Sequence, residues 1–192
     1  TASVWYRLLN LGFRIPAAGG TDAMANYASL RGPVGMNRTY ARMSPPPGAD
    51  AAKKMELWLA GLKAGRTFAT NGPLLELTVD GRGLGEEIAL PEGGGEVTAR
   101  IRLRSNVPVD HLEVVRNGEV VHTVPLSGDR TAAVATVRLP VERSGWLVLR
   151  ARSDRAIYPV LDLYPYATTS PIYLTVGGRP ARSGPDAEYF LA

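Results

Sequence analysis

Few residues of this chain have types suited to chemistry. Asp22 follows Gly19-Gly20-Thr21 directly after a short apolar run. Carboxylates at the ends of strands in α/β barrels serve as metal ligands and bases, whereas the plainer role for an aspartate after two glycines is a turn or a cap. His111 and His122 are the two histidines, and each falls on or beside a predicted hairpin strand. An exposed cross-strand pair between His122 and Glu113 accounts for them without catalysis. Cysteine is absent, which excludes disulfides, thiolate metal sites and a cysteine nucleophile. Arg100, Arg102 and Arg104 alternate along one strand, and with Arg138, Arg150 and Arg152 they offer a basic face for anions or another domain, or simply a solvated one. Trp146, Tyr158, Tyr164 and Tyr166 have the ring faces on which sugars stack. Pro159 and Pro165 break that segment into turns, so core and corner packing is the plainer expectation for these four rings.

These residues need elements to position them. The 192 residues are 45% hydrophobic and 21% charged, an ordinary globular balance that excludes disorder, collagen and coiled coil. No apolar run reaches the roughly 18 residues of a membrane span. The formal charge of +4 reads as a mild excess spread along the chain, unlike the clustered footprint of a nucleic-acid binder. Val4, Leu8 and Leu11 recur at i, i+4, i+7 before Gly12, which predicts a helix end. Phe13 to Ala18 is short and apolar, and predicts a buried strand. Residues 25 to 50 hold no period, and Pro45-Pro46-Pro47 marks a linker or loop. Asp50 caps a predicted helix over residues 51 to 64, with a stripe of Met55, Trp58, Leu59 and Leu62 and a terminal Gly65.

From Phe68 onward the period is two. Val97, Ala99, Ile101 and Leu103 alternate with Thr98, Arg100, Arg102 and Arg104, and similar alternation recurs at 75–79, 133–139, 147–151 and 172–176, enough strands for two packed sheets. Asn117-Gly118 predicts a two-residue type I′ hairpin that sets Arg116 opposite Glu119 and Glu113 opposite His122. Thr70-Asn71-Gly72-Pro73 reads as a turn. Asp186 to Ala192 reads as the opening of an amphipathic helix, and both ends of the chain read as cut.

The runs Trp5-Tyr6-Arg7-Leu8-Leu9-Asn10-Leu11-Gly12-Phe13-Arg14-Ile15-Pro16, Gly20-Thr21-Asp22-Ala23 and Gly65-Arg66-Thr67-Phe68-Ala69-Thr70-Asn71-Gly72-Pro73-Leu74-Leu75 resemble the C-terminal region of CehA/McbA-type metallohydrolases of the PHP (polymerase and histidinol phosphatase) superfamily. The resemblance covers residues 1 to about 90. It implies an α/β barrel that binds divalent metal through strand-end His, Asp and Glu residues and hydrolyses phosphoesters or aryl carbamate esters. Asp22 then matches the metal-ligating aspartate of a Gly-Ser-Asp-Ala-His motif, with Met24 where the motif has its histidine, and a thioether is a poor ligand for such cations. Gly35-Met36-Asn37-Arg38-Thr39-Tyr40 resembles the segment that follows, where an arginine and a tyrosine approach the pocket. The resemblance therefore assigns Arg38 and Tyr40 to substrate or oxyanion contact.

The expected fold is mainly β: an antiparallel, Ig-like β-sandwich over residues 68–178, preceded over 1–67 by a C-terminal fragment of a PHP-type α/β barrel and followed over 179–192 by the start of a helix. The expected function is that of the C-terminal part of a metal-dependent hydrolase cleaving an ester, carbamate or phosphoester. The missing N-terminal barrel portion of the same protein is the expected partner, and Zn, Mn or Fe is expected in the intact parent, with none held tightly by this piece. Nucleic acid and membrane are not expected partners, and a homo-oligomer is left open, as is the compartment. A non-catalytic sandwich that binds carbohydrate or protein is the alternative.

Overall fold

The structure, a computed structural model, describes residues 2–23, 34–160 and 163–191. It is mainly β. Among the described residues three helices, α1 (Ala2–Asn10), α2 (Ala51–Lys63) and α3 (Gly184–Leu191), accompany eleven strands. The larger sheet runs in the order β1 (Arg38–Ala41), β2 (Thr67–Thr70), β10 (Tyr166–Thr169), β9 (Gly145–Arg152), β11 (Ile172–Val176) and β4 (Glu87–Leu90), with β6 (His111–Arg116) paired to β9 and β7 (Glu119–Thr123) paired to β6. The smaller sheet is β3 (Leu74–Val79), β5 (Gly95–Arg104) and β8 (Ala132–Val141). All pairs are antiparallel except β4 with β11.

The predicted alternation is what joins the sheets. Leu75, Leu77, Val97, Ile101, Leu103 and Leu139 from the smaller sheet meet Leu112, Val114, Leu147, Leu149, Ile172 and Leu174 from the larger one in a single buried cluster. Each such side chain is worth about 1.5–3 kcal/mol when fully buried. Strand β9 pairs with β6 along one side and with β10 and then β11 along the other. Ser170 and Pro171 interrupt what is otherwise one strand, letting β10 pair outward with β2 and β11 with β4. Sequence periodicity missed β1, β4 and β10 because four residues give too few alternations to read.

Asn117 and Gly118 have φ of 53° and 94°, the left-handed pair that a type I′ turn requires. Arg116 faces Glu119 as expected, but a bulge shifts the register between Val114 and Val115, so Glu113 lies opposite Thr123 and Val114 opposite His122. The extra residue of a bulge puts two residues against one, which moves every pair beyond it. The expected Glu113–His122 pair is therefore not made.

Two expectations near the start need correction. Helix α1 forms and ends at Gly12, whose φ is 89°, yet its buried face is Tyr6 and Leu9, while Val4 is exposed. The aromatic contact decides this: Tyr6 lies 4.9 Å from the Trp146 ring, and Trp146 Nε1 donates to Asn10 Oδ1 at 2.7 Å. Residues 13–23 form no strand. Side-chain hydroxyls hold them on the larger sheet instead. Ala17 N donates to Ser170 Oγ at 2.9 Å, Thr67 Oγ1 donates to Ala17 O at 2.8 Å, and Gly19 N donates to Thr39 Oγ1 at 2.8 Å. Only Ala17 of the expected strand is buried. Helix α2 forms as predicted, with Lys53 N donating to Asp50 Oδ1 at 2.7 Å, but Met55 and Leu59 of its stripe are 59% and 43% exposed.

The first and last helices clasp each other. Asp186 accepts from Arg7 Nη1 at 2.6 Å and from Asn10 Nδ2 at 2.9 Å, and the Arg7 guanidinium lies 4.2 Å from the Tyr189 ring centre. Burial works to raise the Asp186 carboxyl, but hydrogen bonds from Ser183, Asn10 and Arg7 outweigh it and hold the group below its usual range. A folded-state pKa below the unfolded one gives stability that is complete above the ordinary aspartate value of about 4 and is lost as pH falls through the lower folded value. Urea midpoints of the native chain and Asp186→Asn, measured from pH 6 down to pH 2.5, should therefore converge below about pH 4. A gap that stays constant with pH would show that the charge of Asp186 does not hold α3 in place.

Candidate functional site

The groups with chemical potential gather at one end of the larger sheet, where β1, β6 and β10 begin and β2 and β9 end. Thr21 Oγ1 accepts from Asn37 N at 3.0 Å and donates to Asn37 O at 3.1 Å. This pair of bonds imitates one rung of a ladder and sets Asp22 beside the start of β1. Asp22 has φ of 53°, a left-handed conformation that aspartate tolerates better than most residues. Its side chain lies on the exposed surface. Arg38 and Tyr40, two apart on β1, share one face of that strand. The Arg38 guanidinium stands 5.9 Å from the Tyr40 ring centre, and Tyr40 stacks on Phe68 at 5.0 Å and 8°. Arg38 and Tyr40 are thus exposed on β1, and Asp22 is exposed near the start of that strand, at this corner of the sheet. Met24 lies outside the described residues.

A second constellation occupies the outer face of the same sheet. Register places Thr168, Arg150 and Glu113 in one cross-strand row and Tyr166, Arg152 and His111 in the next. Glu113 Oε2 accepts from Arg150 Nε at 2.9 Å and Nη2 at 2.7 Å, a bidentate pair with the Glu113 side chain only 6% exposed. Arg152 reaches Asp154 at 2.7 Å, and His111 Nε2 meets the other Asp154 oxygen at 2.8 Å. Burial opposes the charge of Arg150, but Glu113 prevails and raises it further. The hydrogen bond from His111, with Arg152 beside it, lowers the Asp154 carboxyl. Tyr6 descends from α1 onto this row. Burial raises its phenol, and burial with neighbouring Tyr6 pushes Tyr166 up to about 12. Both phenols therefore stay protonated at neutral pH, and the row works as an anchor between α1 and the sheet.

The sequence grouped all six arginines on one face, and the structure separates them. Arg100, Arg102, Arg104 and Arg138 lie on the outer side of the smaller sheet, while Arg150 and Arg152 are neutralised by Glu113 and Asp154 on the larger one. Alternation signals which face each residue takes within its own strand, but which sheet the strand joins is a long-range matter. The aromatic expectation also divides. Trp146 is fully buried and Tyr166 mostly so, whereas Tyr158 is 84% exposed and Tyr164 is 52% exposed. Tyr164 meets Tyr166 edge to face at 6.3 Å. Core packing thus fails for Tyr158 and Tyr164, which the turns around Pro159 and Pro165 leave exposed at the sheet's end, Tyr164 against Tyr166 at the start of β10.

Among the described residues no group of three His, Cys, Asp or Glu side chains could hold a metal ion, and no helix is long and apolar enough to cross a membrane. No family model, curated protein or solved structure matches the chain. The anchoring role of the Glu113–Arg150 pair has a measurable consequence. Glu113→Gln leaves a buried guanidinium without its counter-charge and should lower the unfolding free energy by about 3–5 kcal/mol, whereas Glu113→Gln with Arg150→Met should recover most of that loss. Urea denaturation of the three proteins decides it, and a single variant within about 0.5 kcal/mol of native would mean the pair is solvated.

Proposed function

We propose that this chain is the C-terminal portion of a PHP-type metal-dependent hydrolase: an Ig-like β-sandwich that carries a trailing piece of the α/β barrel. It lends Asp22, Arg38 and Tyr40 to a site that cleaves an ester, carbamate or phosphoester of a small molecule. The observation that supports this most is the double hydrogen bond between Thr21 and Asn37, which turns residues sixteen apart in sequence into neighbours at an exposed sheet edge. A turn aspartate and a loop arginine would have no need to share a corner.

The described residues do not by themselves fit a metal. Asp22 offers one carboxylate, and hydrolytic sites surround their ion with about three or four protein ligands. On this reading the remaining ligands sit on barrel strands of the same protein outside this chain, and the ion, Zn, Mn or Fe, belongs to that whole. What this chain contributes can be stated from its own groups. Arg38 presents a planar fork of fixed donors suited to a carbonyl or phosphoryl oxygen. Tyr40, held flat against Phe68, forms a rigid wall beside that fork. The exposed Met55 and Leu59 of α2 offer apolar surface that barrel polypeptide would cover.

The test uses the intact protein with its upstream polypeptide, purified with each metal and assayed on a p-nitrophenyl ester and on bis(p-nitrophenyl) phosphate. Asp22→Asn should lower metal content and reduce kcat by about 100-fold or more, and Arg38→Met should act chiefly on KM. Unchanged metal content and turnover in Asp22→Asn would sink the proposal.

One observation favours a second reading, a carbohydrate-binding module. Tyr158 and Tyr164 are exposed at the same end of the sheet, and exposed aromatic faces bind sugar rings. A glycan array that retains signal with the native chain and loses it with Tyr158→Ala and Tyr164→Ala would establish this alternative, and a blank array would remove it.

A further inference from the structure

The smaller sheet ends on β8, which has an open edge. Ser105 N donates to Thr131 O at 2.7 Å, which sets the phase of the β5–β8 ladder. Residues 133, 135, 137 and 139 turn their backbone groups toward β5, and residues 132, 134, 136 and 138 turn theirs the other way. Among the described residues no strand pairs with that outward side. The run Ala132-Ala133-Val134-Ala135-Thr136-Val137-Arg138 contains no proline and one charge at its end. Val134 is 78% exposed, and Ala133, Ala135 and Val137 pack against the main core yet are only partly buried. The core is thus left ajar along β8. Natural edges are blunted by charge, proline or a covering loop. Edge strand β1 begins with Arg38 and is followed directly by Arg42, and Thr21 caps its start, but β8 has no such protection before Arg138.

We propose that β8 is the dimerisation edge of this protein, where a second copy adds its own β8 antiparallel about a two-fold axis at Ala135. The run is complementary to itself in that register and poorly so in its neighbours. Centred on Ala135, Val134 faces the partner copy's Thr136 position, Ala133 faces the Val137 position, and Arg138 faces the Ala132 position. No like charges meet. Centring one residue earlier leaves Arg138 with no strand residue opposite, since Arg130 lies in the turn before β8 with its carbonyl taken by Val109 N, and centring one residue later sets Ala132 opposite Pro140, which has no N–H to give. The chosen register therefore uses every outward backbone group from Ala132 to Arg138, and an isologous pair of this kind closes on itself rather than growing into a fibre. The two half-buried faces at Ala133, Ala135 and Val137 extend across the axis and close the core. The inference rests on β8 alone and holds whether or not the hydrolase reading does.

Light scattering with size-exclusion chromatography should give twice the monomer mass for the native chain. Thr136→Pro should return it to the monomer mass, since the Thr136 N–H points away from β5 and its loss leaves the folded monomer's ladder intact. An unchanged thermal melt at low concentration checks that point. The chain has no cysteine, so register can be read directly. Ala135→Cys places two thiols across a non-hydrogen-bonded antiparallel pair, close enough for a disulfide, and should cross-link on mild oxidation. Ala133→Cys, opposite the Val137 position, should not. A monomer at every accessible concentration, a dimer untouched by Thr136→Pro, or equal cross-linking of the two cysteine variants overturns the proposal.

Discussion

Strand β9 is buried on both faces, and most of the architecture follows from that constraint. Its sequence, Gly-Trp-Leu-Val-Leu-Arg-Ala-Arg, has almost no polar alternation, as expected of a strand covered on two sides. Leu147, Leu149 and Ala151 point into the core between the sheets. Trp146, Val148 and Arg150 point the other way and must be covered too. Helix α1 supplies the cover, with Tyr6 and Leu9 packed on Trp146, Val148 and Val115. The polar atoms in that outer layer are matched individually, Trp146 by Asn10 and Arg150 by Glu113. The Tyr6 hydroxyl is buried in the same layer, beside Arg150 and Tyr166.

The corner that holds Asp22 depends on the same sheet by a different route. Residues 13–23 lie on it without joining a ladder, because Ser170, Thr67, Thr39 and Thr21 provide hydroxyls where a strand would provide amides. Hydroxyls serve as donor and acceptor at once, so a segment can be fixed in place by residues that alternate out of the sheet. The result is a stretch of backbone aimed by side chains, ending at an aspartate with a left-handed backbone near the start of β1.

Much of this was legible in the sequence, and the failures share a cause. Strands of six or more residues, the two helix caps and the Asn117-Gly118 turn are local events, and their residues announce them. The β1, β4 and β10 strands are too short to show a period. The bulge that displaced Glu113 from His122 leaves no mark in composition, and nothing local says that Arg150 and Arg102 end on different sheets. The buried face of α1 departs from the Val4, Leu8 and Leu11 stripe because it is set by Tyr6, whose aromatic partner Trp146 lies 140 residues away in sequence. For the candidate corner, residue identities pointed to Asp22, Arg38 and Tyr40, but their proximity depends on a threonine that no motif singled out. The charge was also read too evenly: residues 1–70 hold nine Lys and Arg against three Asp and Glu, and residues 71–192 hold thirteen against fifteen. The positive excess therefore falls in residues 1–70, although Arg7 and Arg14 there are paired with Asp186 and Glu87 of the remainder.

The clasp between α1 and α3 makes the backbone nearly a closed ring. Contacts run from Asn10 to Asp186 and from Arg7 to Tyr189, so the helices lie antiparallel and the start of one sits by the finish of the other. Polypeptide fused before the first helix and polypeptide fused after the last would emerge side by side. Cutting the ring at an exposed bend such as Gly93 and joining the outer ends of α1 and α3 with a few residues would give a circularly permuted chain with the same neighbours throughout.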